Sequence, residues 1–168
     1  MPGNIVHNQI GNFGDLVPVP YIEDVSTMYG FLHTGYYHVH GRPLVYPDKA
    51  NNIVLTSGAA AWSETGALVE VVPANALNVA DFDLHWVNIA AISTNAEIQI
   101  DIYAGLGGSE VKIGSTRSQR NTNQSRENAN RIQIAQQPVN TRITARLLDS
   151  TSGAITTAIS LEGHYYTM

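Results

Sequence analysis

Eight residues, Ala96-Glu97-Ile98-Gln99-Ile100-Asp101-Ile102-Tyr103, alternate apolar and polar without a break. Successive side chains of a β-strand point to opposite faces, so Ala96, Ile98, Ile100 and Ile102 share one face and Glu97, Gln99, Asp101 and Tyr103 the other. A strand with one dry and one wet face belongs to an antiparallel sheet. We therefore expect the isoleucines in a core and the acidic face in solvent or against a neighbour.

Similar segments recur downstream of Asn52. Ile53–Thr56, Ala67–Val72, Phe82–Ser93, Glu110–Ser115, Arg131–Ala135, Thr141–Leu148 and Ala154–Leu161 read as strands separated by Gly, Pro, Asn and Ser turns. Within the third, apolar parity passes from Phe82, Leu84 and Trp86 to Val87, Ile89 and Ala91, which predicts a β-bulge near Trp86–Asn88. Thr94-Asn95 predicts a hairpin turn into Ala96–Tyr103, Asp149–Gly153 a second hairpin loop, and Gly105–Gly108 a third turn. About eight strands and no helix make an all-β antiparallel sandwich, jelly-roll-like, over residues 51–168. Residues 1–50, rich in Gly, Pro, Tyr and His, read as an extended N-terminal arm with one or two short strands, the best candidate being Gly35–His40.

At 168 residues the chain is about one domain, long enough to bury roughly 70% of its unfolded surface. It has no Cys, so disulfides and thiolate metal sites are excluded and a reducing cytosol is permitted. We expect no signal peptide, and no apolar run reaches the ~20 residues that cross a bilayer, so no membrane partner is expected. The net charge of −5 is uneven: residues 1–110 hold two cations and eleven anions, residues 111–168 seven cations and three anions. An acidic whole argues against a nucleic-acid partner.

Candidate chemistry is sparse. His38 and His40 would share a strand face with His33 nearby, but no third and fourth metal ligand accompanies them. Asp81, Asp83, Glu97 and Asp101 invite a glycosidase reading. Glu97 and Asp101, four residues apart on one strand, would however stand about 13 Å apart. Gly105–Gly108 is followed by a strand, whereas a phosphate loop needs a helix. We expect no catalytic residue and no cofactor. Trp62, in a Gly/Ala-rich loop, is the free aromatic that a carbohydrate-binding module would need, while Trp86 is expected in the core. Arg117–Arg131 holds four arginines and six amides with almost no apolar side chain. It is expected to be a solvated loop or a protein interface, to which the acidic part of a second copy is complementary.

The segments Thr116-Arg117-x-Gln119-Arg120, Gln124–Asn128, Arg131–Ile134, Gln136-Gln137-Pro138-x-Asn140–Ile143, Arg146–Gly153 and Gly163–Tyr166 resemble small β-sandwich virion proteins of tailed bacteriophages, some of them head decoration or cement proteins. The resemblance covers mainly residues 111–168 and rests on texture rather than on a catalytic signature. It implies a non-enzymatic homo-oligomer, a trimer, that bridges major capsid proteins and sits in the virion after assembly in the host cytoplasm. Arg117, Arg120, Arg126 and Arg131 would then make subunit contacts. The arm, through Tyr21, Tyr29, Phe31, Tyr36, Tyr37, Arg42 and Tyr46, would contact the capsid. A tail, collar or fibre-anchoring virion protein is the alternative within this class, and a carbohydrate-binding module the alternative outside it.

Overall fold

A computed structural model describes residues 7–10, 16–19, 42–48, 50–120 and 128–166. The chain divides into two compact units, residues 1–39 and 40–168. In the first, β1 (His7–Ile10) and β2 (Leu16–Val19) form an antiparallel ladder. Gly35–His40, the strand expected in the arm, lies outside the described residues.

The second unit is a sandwich of two antiparallel sheets. Its strands are β3 (Pro43–Tyr46), β4 (Ile53–Thr56), β5 (Val69–Val72), β6 (Phe82–Ile92), β7 (Ala96–Ala104), β8 (Val111–Arg120), β9 (Asn128–Gln137), β10 (Ile143–Asp149) and β11 (Thr156–Tyr165). One sheet runs β5-β10-β7-β8, and the other β3-β11-β6-β9 with β4 also on β11. Strands β3 and β4 lie end to end along β11, which pairs Leu161–His164 with β3 and Thr156–Ile159 with β4. Without β3, the two sheets read β4-β11-β6-β9 and β5-β10-β7-β8. That is the strand order of a jelly roll, two Greek keys folded face to face.

All eight strands expected downstream of Asn52 are present, and all-β sandwich is the fold observed. The core is the one the alternation dictates: Ile98, Ile100 and Ile102 are fully buried, opposite Phe82, Leu84 and Leu161 of the other sheet. Burying one such side chain contributes roughly 1.5–3 kcal/mol. Gly114 faces inward on β8, where a Cβ would meet Ile132 Cδ1 and Ile134 Cγ1 at 2.9 Å. Its missing side chain lets the two sheets close at this edge.

Several expectations need correction. The links expected to be hairpin loops at Thr94-Asn95 and Asp149–Gly153 each carry the chain from one sheet to the other. In a jelly roll both flanking strands turn an apolar face to one core, so their pattern resembles that of a hairpin. Of these three expected turns, only Gly105–Gly108 joins neighbours in one sheet, β7 and β8. Pro43–Tyr46, in the stretch assigned to the arm, pairs with β11 in the sandwich.

Arg117–Arg120 and Asn128–Asn130, expected in a solvated loop or an interface, are strand residues. Strands β8 and β9 are sheet edges, where a polar side chain can reach water from either face. The parity change in β6 has two sources. The register with β11 passes from Leu84 to Trp86 over one step, which leaves His85 as an extra residue, and from Ile89 to Ala91, which leaves Ala90 extra. Buried positions accordingly go from Phe82 and Leu84 to Val87 and Ile89 and then to Ile92. The first bulge lies just before the expected Trp86–Asn88, and the second turns Ala91 outward.

Candidate functional site

The bulge at His85 builds a polar cluster on the outer face of the β3-β11-β6-β9 sheet. Asp83 and His164 are directly opposed across β6 and β11. The bulge turns the extra residue, His85, back toward Asp83. Its Nε2 lies 3.0 Å from Asp83 Oδ2, and His164 Nδ1 lies 3.8 Å from Oδ1. The two imidazoles stand with centroids 5.0 Å apart, tilted by 59°. The Tyr166 hydroxyl donates to Asp83 Oδ2 at 2.6 Å and the His164 amide donates to Oδ1 at 3.1 Å.

Asp83 is buried. Burial alone would push its carboxyl pKa up, but the Tyr166 hydroxyl, His85 and the His164 amide outweigh it and hold the group below the usual aspartate value. The same contacts act oppositely on the phenol. Burial, then the hydrogen bond and charge of Asp83, push Tyr166 up to about 12.

A second polar chain crosses the outer face of the other sheet. Arg117 Nε donates to Gln99 Oε1 at 2.8 Å, and Gln99 Nε2 to Asp101 Oδ1 at 2.9 Å. Ser115 donates to the same oxygen at 2.7 Å, and Lys112 Nζ lies 2.8 Å from Oδ2. Asp101 is therefore buried, not solvated as its place on a wet face suggested. Burial raises its pKa, but Lys112, Ser115 and Gln99 prevail and lower it. The Arg117 guanidinium lies 5.2 Å from the centre of the Trp62 ring, a cation–π contact. Beside them, Glu97, Ile98, Arg117, Ser118 and Gln119 line a shallow cavity of about 310 Å³.

Trp86, expected in the core, is 39% exposed, almost the same as Trp62 at 38%. It follows the extra residue of the bulge, which turns it outward, and it pairs in register with Arg131. Arg117 and Arg131 thus stand on opposite outer faces of the sandwich, each beside an exposed tryptophan. Arg120 is half-buried at the end of β8, and Arg126 lies outside the described residues.

Of the expected shell contacts, Arg42 is exposed while Tyr46 packs against the core. Tyr21, Tyr29, Phe31, Tyr36 and Tyr37 lie outside the described residues, as do His38 and His40. The carboxylates weighed for glycoside chemistry do not converge: Asp83 and Asp101 belong to different sheets. The Asp83–His85–His164 grouping escaped the sequence reading because it needs the β6/β11 register. The available signal was the change of apolar parity just after it, from Trp86 to Val87.

No protein-family model matches this chain, and no curated protein does. Two solved structures are similar to it. One is a structure of infectious bursal disease virus, Gt strain, with 14% identity and a TM-score of 0.40 over 97% of this chain and 37% of that one. The other is a VP2 subviral particle of infectious bursal disease virus, with 15% identity and a TM-score of 0.38 over 77% of this chain and 34% of that one. The chain thus spans little more than a third of the length of either. Similarity at this level assigns no function.

Proposed function

We propose that the chain is a non-enzymatic structural protein of a virus particle, a head decoration or cement protein that assembles as a homo-oligomer and binds the major capsid protein lattice. The observation that carries this reading is the strand order: β4-β11-β6-β9 packed on β5-β10-β7-β8 is an architecture used by viral capsid and lectin domains. Fold narrows the class without choosing within it. The surface favours the particle. Each outer face presents an exposed tryptophan beside an arginine, Trp62 with Arg117 and Trp86 with Arg131. These are the residue types that dominate protein–protein hot spots.

Two opposite faces of this kind suit a protein that bridges neighbours. A trimer is the assembly we favour, and the resemblance to tailed-phage virion proteins points to a phage head. Residues 1–39 would reach the shell and residues 40–168, which include Pro43–Tyr46, form the body. Binding only to the assembled lattice stabilises it by mass action. The second reading, a sugar-binding module, is favoured by the exposed ring of Trp62.

The test is co-sedimentation of the purified chain with empty heads of the virus that encodes it, alongside light scattering. The expected result is a trimer that decorates heads, with binding weakened at least ~10-fold by a Trp62→Ala/Arg117→Ala double variant. A monomer that ignores heads but is retained on a glycan array would overturn the reading in favour of the sugar-binding one.

A further inference from the structure

We infer that Asp83, His85 and His164 form a binding site for a divalent transition-metal ion of the zinc class. One ligand atom from each residue, a carboxylate oxygen and two imidazole nitrogens, lies within 4.8 Å of the other two. Zinc bonds of about 2.0–2.2 Å place neighbouring donors of a tetrahedral ion roughly 3.3 Å apart. His85 Nε2 lies 3.0 Å from Asp83 Oδ2 and His164 Nδ1 lies 3.8 Å from Oδ1, the other oxygen of the same carboxylate, so both imidazoles reach the carboxylate at about that spacing. Small side-chain rotations would therefore close the set around one point.

The backbone prepares this arrangement. The β6/β11 register opposes Asp83 to His164, and the bulge brings His85 to the same carboxylate. The bulge in turn depends on Gly163, whose missing side chain admits the Asp83 carbonyl. Around the carboxylate, the Tyr166 hydroxyl and the His164 amide fix its orientation, as outer-shell donors do at metal sites.

The donor set selects the ion. Two imidazoles and one carboxylate suit Zn²⁺, Co²⁺, Ni²⁺ or Fe²⁺, while Ca²⁺ and Mg²⁺ favour all-oxygen shells. Among the described residues three side chains supply ligands, and a four-coordinate ion takes one more. A bound ion would link β6 to β11, which also carries β3 and β4. This inference is independent of the virion reading.

The experiment uses the full chain, stripped with a chelator and titrated with Co²⁺, followed by the visible absorption of the ion and by competition with Zn²⁺. The expected result is d–d bands of a nitrogen- and oxygen-ligated Co²⁺ at one ion per chain, displaced by Zn²⁺. His85→Gln and His164→Gln should each weaken binding at least ~10-fold, while a His38→Ala/His40→Ala variant binds as the wild type. Circular dichroism checks that each variant is folded. If His164→Gln is not, His85→Gln alone decides, because Gln at the bulge can still donate to Asp83. Absence of Co²⁺ bands in the wild type, wild-type binding by His85→Gln, or loss of binding only in the His38→Ala/His40→Ala variant would overturn the assignment.

Discussion

Gly163 on β11 meets the backbone of Asp83 on β6 so closely that a Cβ on the glycine would lie 1.8 Å from the Asp83 carbonyl oxygen. Backbone cannot yield as a flexible side chain does. We expect Gly163→Ala to destabilise the sandwich by about 3 kcal/mol or more, at the upper end of the cost of overpacking. Gly153, with no atom within 4 Å of the corresponding Cβ, is the control, and Gly153→Ala should move the urea midpoint little. Equal midpoints for the two variants would mean that the close approach does not exist in solution.

The buried face of β7 makes a quantitative prediction. Ile100 is fully buried, and Ile100→Ala should cost about 2–5 kcal/mol and Ile100→Val about 0.5–1.5 kcal/mol. Leu106, 68% exposed in the β7–β8 turn, should tolerate alanine within about 0.5 kcal/mol. Chemical denaturation of the three variants orders them.

Asp101 sets a pH dependence. Its pKa in the folded chain lies below the ordinary value of 3.8. A depressed carboxylate contributes stability that is fully present above the unfolded pKa and is lost as pH falls through the folded one. Between pH 6 and pH 5 its contribution should be flat, and the loss should begin near pH 4 and continue below it. Asp101→Asn should remove that part of the acid limb in urea midpoints measured from pH 6 to pH 2. Lys112→Met should lower stability by about 1 kcal/mol at neutral pH, since the ammonium is 44% exposed and water screens the pair.

The Trp62–Arg117 contact separates stability from binding. At an exposed site a cation–π pair contributes about 0.5–1 kcal/mol, so Arg117→Ala should change the unfolding midpoint only slightly. It should shift Trp62 fluorescence, read in a Trp86→Phe background, and weaken attachment to heads. A variant that attaches as well as the wild type would remove this face from the proposed interface.

Much of the fold was legible in the sequence because burial leaves a period of two on a half-buried strand. Ile98, Ile100 and Ile102 needed nothing else. Sheet membership was not legible: Thr94-Asn95 looks like a hairpin turn, and only tertiary packing shows that it turns a corner between sheets. The bulges were half legible. The parity change after Trp86 was visible, but the return to even positions at Ile92 was hidden by the small residues Ala90 and Ala91. Asp101 was misplaced because alternation tells inward from outward and cannot see Lys112, Ser115 and Gln99 closing over an outward carboxylate. The Asp83 cluster was illegible for a related reason: His164 and Tyr166 are about eighty residues from Asp83, and the register that joins them is set by a bulge and a glycine.

The position of β11 also shapes how the molecule can be made. Strands β3 and β4 have their partner in a segment about a hundred residues further along the chain. On a translating ribosome they emerge with nothing to pair with, and β6 waits for its β11 neighbour in the same way. Such non-local closure is slow and leaves sheet edges open in the meantime. Assembly of the sandwich is therefore a late, near-simultaneous event. Until β11 arrives, the nascent chain is most exposed to edge-to-edge association with other chains.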